Sequence, residues 1–87
     1  MKFSELEFND ISETHGAGAV QAYVELPNGY EVSVVRHSGS YGSEKGLYEI
    51  GCFFNHHMVD PDDWGDTVKG WCTPEDVESY IHQIEKV

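Results

Sequence analysis

The sequence predicts an α+β domain, a three- or four-stranded antiparallel sheet with one C-terminal helix packed on one face, and three observations carry that prediction. Apolar residues alternate with polar ones on both sides of a Pro27-Asn28-Gly29 turn, a third alternating run spans residues 47–55, and a capped amphipathic segment fills 74–87. At 87 residues the chain is long enough for one small domain, whose stability is expected at ~4–13 kcal/mol. Hydrophobic residues at 39% and aromatics at 13% supply a core and argue against disorder.

Residues 1–16 read as an irregular arm or short strand, because Phe3, Leu6 and Phe8 fit neither a helical nor a strand period. A hairpin over 19–36 follows. Val20, Ala22, Val24 and Leu26 alternate with Gln21, Tyr23 and Glu25, so the even positions face the core. Pro27 presets φ for the first corner, and Gly29 can take the left-handed position of a bulged loop. Pairing Leu26 with Tyr30 places Val24 opposite Val32 and Ala22 opposite Val34, with no conflict between the faces.

HSGSYGSEKG, at 37–46, reads as a loop. The strand at 47–55 again turns its even residues, Tyr48, Ile50, Cys52 and Phe54, to one face. Phe53 then lies on the opposite face and needs a cover, from the arm, the loop or a partner. HHMVDPDDWGD, at 56–66, reads as a polar connection. Thr73 is a natural N-cap, Pro74 suits the first helical position, and Glu75 and Asp76 complement the helix dipole. Val77, Tyr80, Ile81 and Ile84 recur at helical spacing and form one apolar stripe.

Charge narrows the function classes. Sixteen Asp and Glu against five Lys and Arg give a net charge of −11, which disfavours direct binding to nucleic acid or to an anionic membrane. The expected partner is a protein with a basic surface. With no signal-like N-terminal run and no apolar stretch of spanning length, the reading is cytoplasmic, and Cys52 and Cys72 read as buried free thiols.

No motif specifies a reaction. Counted as a calcium loop from Asp60, the acidic segment has Asp62 and Gly65 in place but Trp64 at the fifth position and Trp71 where a bidentate Glu belongs. Cys52, His56, His57, Cys72 and His82 lack the paired spacings of zinc sites. Ser38, Ser40 and Ser43 near His37 form no nucleophile elbow, and the glycine loop lacks the ending of a P-loop. No catalytic residue, metal or cofactor is assigned. The alternative to a binding protein is a small metal-binding or catalytic protein using the His- and Asp-rich segment 56–66.

Aromatic side chains ringed by charge suit a protein interface. The candidate partner-binding residues are Asp60, Asp62, Asp63, Trp64, Asp66 and Tyr41. Trp64, set among aspartates, is read as exposed, whereas Trp71, just before the N-cap, is read as capping the core under the helix. An exposed strand edge or Phe53 leaves a homodimer as a further route.

NGYEVSVVRHSGSYGSEKGLYEIG together with GDTVKGWCTPEDVESYIHQI resembles a group of small acidic proteins of unknown function encoded by tailed bacteriophages and prophages. The likeness runs over about residues 28–85, as hairpin, glycine loop, GLYE strand and TPEDV helix. It implies a bacterial cytosol during infection or lysogeny and an accessory role, and it brings no catalytic residues; the net charge adds the reading of a non-enzymatic accessory protein that binds a host protein through an acidic surface, in one form as a nucleic-acid mimic.

Overall fold

The computed structural model describes residues 1–61 and 64–87. Its centre is the hairpin of β2 (Val20–Glu25) and β3 (Tyr30–Arg36), in the register expected from the sequence, with Val24 opposite Val32 and Ala22 opposite Val34. In the turn, Gly29 takes φ +91° and its amide donates to the Leu26 carbonyl at 3.0 Å. A β-carbon is disfavoured in that backbone region, which is why glycine closes the loop. We number the short first strand, Asn9–Asp10, β1; it pairs with the outer edge of β2 at Val20 and Gln21.

Strand β4 (Tyr48–Phe54) lies antiparallel to β3, Ile50 opposite Val34 and Cys52 opposite Val32. Two rows therefore cross the sheet on one face, Ala22–Val34–Ile50 and Val24–Val32–Cys52, and all but the half-buried Val24 are fully buried. Helix α2 (Pro74–Glu85) covers this face with Val77, Ile81 and Ile84, each completely buried. Removing such side chains from water contributes about 1.5–3 kcal/mol apiece. A four-residue helix α1 (Ser12–His15) lies between β1 and β2.

The helix ends are both satisfied. Thr73 Oγ1 accepts from the Asp76 amide at 3.1 Å, while Asp76 returns a carboxylate oxygen to the Thr73 amide at 3.0 Å, forming a capping box. At the other end the Asn28 side-chain amide, in the hairpin turn, donates to the Ile84 carbonyl at 2.8 Å. The helix stops at Glu85, two residues before the end expected at 87. The N-terminal arm closes the side of the core: the Phe3 amide donates to Glu78 at 2.8 Å, the Met1 amine pairs with Glu85 at 3.1 Å, and the Phe3 and Phe8 rings pack on Tyr48 with centroids at 5.3 and 5.5 Å.

The strand count corrects the sequence reading of three or four, because the sheet has six strands. Besides the short β1, the additions are β5 (His57–Met58) and β6 (Val68–Cys72), which share the far edge of β4 end to end. The change of partner falls at Cys52, whose amide donates to the Thr67 carbonyl at 3.2 Å and whose carbonyl accepts from the Val59 amide at 3.0 Å. Strand β5 ends at Met58 and β6 begins at Val68, so the acidic segment 60–66 falls between the two half-edges in sequence. Strand β5 was concealed because it is only two residues long and follows a turn, Asn55–His56, without glycine; both turn residues are left-handed, with φ +51° and +66°. Strand β6 was concealed by a bulge: its register slips by one between Tyr48 opposite Cys72 and Ile50 opposite Lys69.

Among the described residues no helix is long and apolar enough to cross a membrane. Cys52 and Cys72 are free and buried, as the sequence suggested, and burial pushes both thiols up to about 11. The folded protein is therefore expected to leave a neutral aromatic disulfide reagent unconsumed at mildly alkaline pH, and to release two equivalents once unfolded in guanidinium. A rapidly reacting thiol in the folded protein would contradict this burial.

Candidate functional site

The residues of the sequence-derived surface have different local settings. Asp60 is engaged internally, its two carboxylate oxygens accepting from the Trp64 amide at 2.7 Å and the Gly65 amide at 2.9 Å. Asp66 is exposed and accepts from the Thr67 amide at 2.6 Å. Asp62 and Asp63 lie outside the described residues. Trp64 is half-buried: its ring meets Tyr80 edge-on at 5.0 Å, and its indole N–H donates to Gln83 at 3.0 Å. Trp64 is thus the tryptophan that covers the core beside the helix, and the exposure read for it is corrected.

The exposed tryptophan is Trp71, 51% accessible, which corrects its placement under the helix. It sits at the β6 bulge with φ +59°, a left-handed conformation that a bulky residue rarely adopts. That backbone turns its side chain away from the core, while the next residue, Cys72, returns inward and is buried. Tyr41, 63% accessible, lies beside it, its carbonyl accepting from the Trp71 amide at 3.3 Å.

Two glycines let the loop 37–47 fit against β6. A methyl group added at Gly70 would lie 2.5 Å from Tyr41 Cβ, and one added at Gly42 would lie 3.0 Å from Trp71 Cα. Glu49 accepts from the Tyr41 amide at 3.0 Å, and the Lys45 ammonium stands 5.8 Å from the Trp71 ring centroid. Tyr41 and Trp71 are consequently two exposed aromatic side chains on a backbone held by these contacts. The sequence carried one signal for this, Gly70 directly before Trp71, since a glycine inside a strand often marks a bulge or a close backbone approach.

A second cluster lies on the face of the sheet opposite α2. Glu31, only 4% accessible, accepts from the Tyr23 hydroxyl at 2.6 Å, and His56 Nδ1 stands 3.2 Å from the same oxygen. Phe53 is the direct cross-strand neighbour of Glu31 and packs on the Tyr23 ring at 5.9 Å, which accounts for its apolar side chain on this face. The hairpin register already places Tyr23 diagonal to Glu31, so this contact was legible, whereas the left-handed turn that delivers His56 was not.

The residues considered for chemistry do not converge. His56 reaches Glu31 on one face, whereas His57 is paired with Phe54, a position of the opposite face. Ser40 is buried and serves its turn, donating to the His37 carbonyl at 2.8 Å and accepting from the His37 amide at 3.0 Å. Among the described residues no three His, Cys, Asp or Glu side chains are grouped to hold a metal ion. No family model, curated protein or solved structure is significantly similar to the chain.

The exchanged roles of the two tryptophans are open to measurement by urea denaturation. Trp64→Ala should cost about 2 kcal/mol, less than a fully buried aromatic because the side chain is only partly buried. Trp71→Asn should change stability by no more than about 1 kcal/mol, since relief of the left-handed backbone offsets the lost contacts. A larger loss at Trp71 than at Trp64 would reverse the assignment.

Tyr23 supplies a pH signature. Its hydrogen bond to Glu31 pushes the phenol up to about 12. A phenol held neutral by the fold contributes stability that is complete below its unfolded value near 10 and is lost as pH climbs towards the folded value. Ultraviolet titration should show one tyrosine ionising after the others, and Glu31→Gln should bring it back into line; an unchanged titration in that variant would dissolve the link.

Proposed function

We propose that this chain is a non-enzymatic binding protein that docks on a basic surface of a partner protein, with Tyr41 and Trp71 as its aromatic anchors. The observation that carries the proposal is the state of its negative charge. Among the described residues the basic groups within 4.0 Å of a carboxylate are the N-terminal amine, at Glu85, and the His56 ring, at Glu31, and no lysine or arginine is so placed. The net charge of −11 is left to act outward on a small body. Such a field accelerates encounter with a basic partner and excludes acidic ones.

Charge alone gives rate and selectivity more than affinity, which calls for desolvated anchors. Tyr41 and Trp71 supply two residue types enriched at binding hot spots, and they do so on a backbone fixed by the glycine contacts, which limits the entropy lost on docking. The resemblance to phage-encoded proteins supports a host protein as the partner. A nucleic-acid-binding host protein, met by carboxylates in place of phosphates, is the specific form of this reading.

Affinity capture from bacterial lysate at low and moderate salt, with three baits, tests it. The native chain should retain a basic host protein. Tyr41→Ala combined with Trp71→Asn should weaken retention by ~30-fold, a loss of about 2 kcal/mol. A variant with Asp62, Asp63 and Asp66 changed to Asn should chiefly slow association and flatten its salt dependence. Retention indifferent to both salt and the aromatic double variant would defeat the proposal, and failure of DNA to compete would remove the mimicry alone.

A further inference from the structure

The only arginine of the chain lines a cleft and, among the described residues, forms no ion pair. Arg36, at the end of β3, lines an open cavity of about 400 Å³ together with His37, Ser38, Ser43, Glu44 and the chain at Ala17 and Gly18. In a protein with sixteen acidic side chains, pairing is the expected fate of an arginine. Among the described residues neither ion pair within 4.0 Å includes it.

What holds Arg36 instead is Tyr48. The guanidinium carbon stands 5.1 Å from the Tyr48 ring centroid, and one terminal nitrogen donates to the Tyr48 hydroxyl at 3.4 Å. The phenol thus restrains the guanidinium without a counter-charge and leaves its remaining N–H groups for a ligand. His37 Nδ1 accepts from the Gly39 amide at 3.0 Å, so the ring proton of its neutral form lies on Nε2, a second donor beside the cleft. The His15 ring lies 4.9 Å from that of His37, and Ser38 and Ser43 line the same cavity.

We propose that this cleft binds a small phosphate-bearing anion, through Arg36 as a charged fork and His37, Ser38 and Ser43 as further donors. Donors on several sides suit the tetrahedral oxygens of phosphate better than the two coplanar oxygens of a carboxylate. The acidic character of the whole chain is no bar at contact distance, because charges beyond a Debye length of about 8–10 Å are screened at moderate salt. Glu44 is the one carboxylate in the lining and opposes binding. The proposal is independent of the partner-binding reading and uses none of its residues.

Titration of the ¹⁵N-labelled full chain at constant ionic strength tests it, with inorganic phosphate and adenosine monophosphate as separate probes and chloride as the control. Saturable amide shifts confined to residues 16–18, 36–39 and 43–44 are expected with phosphate, at roughly millimolar affinity for an open site. Arg36→Lys should weaken binding about tenfold by removing the fork while keeping the charge, and Glu44→Gln should strengthen it a few-fold. Equal binding of the two probes would identify the phosphoryl group alone as ligand, and tighter binding of the nucleotide would identify a phosphate monoester. Absence of saturable shifts with both probes, shifts spread over the chain, or an Arg36→Lys protein that binds like the native one would overturn the assignment.

Discussion

One register runs through the molecule and everything else is arranged around it. Ala22 faces Val34 and Val34 faces Ile50, while Val24 faces Val32 and Val32 faces Cys52. Because side chains alternate between faces, a slip of one residue in either pairing would turn a buried row outward. Val77, Ile81 and Ile84 of α2 are buried only while those rows stay together, and α2 in turn anchors the N-terminal arm through Glu78 and Glu85. Asn28 couples the turn that sets the register to the helix end that covers it, by donating to the Ile84 carbonyl. Sheet, helix and arm therefore depend on a single alignment.

Among the described residues, left-handed backbone at residues other than glycine occurs at the far edge of that sheet. The non-glycine residues with left-handed φ, Asn55, His56 and Trp71, belong to the β4–β5 turn and the β6 bulge. Such conformations cost on the order of 1 kcal/mol or more each and persist where surrounding structure holds them. The turn is held by His56 on Glu31, and the bulge by Gly42 against Trp71 and by the Tyr41–Trp71 backbone bond. Both place a side chain where regular strand geometry would not, one over a buried carboxylate and one in solvent. The rigid core makes this affordable.

The parts of the fold that were legible in the sequence are those fixed by short-range rules. Alternation gave the β2–β3 register, Gly29 gave the turn, and Thr73 with Pro74 and Asp76 gave the helix start. Strands β5 and β6 were not legible, because their existence depends on the unpaired far edge of β4, a tertiary fact, and their own sequences are short or broken by Gly70. The same reason explains the exchanged tryptophans. Sequence neighbours suggested exposure for Trp64 among aspartates and burial for Trp71 beside a helix cap, but the chain folds Trp64 back onto Tyr80 and Gln83 while the bulge rotates Trp71 outward. Of the candidate surface, Tyr41 is exposed as an anchor should be, while Asp60 is absorbed into the loop it closes.

The acidity itself has a structural origin that bears on its use. Glu5, Asp10, Glu49, Asp60, Asp66, Asp76 and Glu78 each accept a hydrogen bond from a backbone amide. An amide satisfies a carboxylate oxygen without cancelling its charge, whereas a lysine or arginine would do both. By bonding these carboxylates to backbone N–H groups, the chain holds them in place without compensating their charge. A field built from side chains tied to the backbone is preorganised. Arg36 obeys the same logic with the sign reversed: held by the ring and hydroxyl of Tyr48, it is ordered without being neutralised. In both cases the protein fixes a charge by a neutral group, which leaves that charge available to whatever binds.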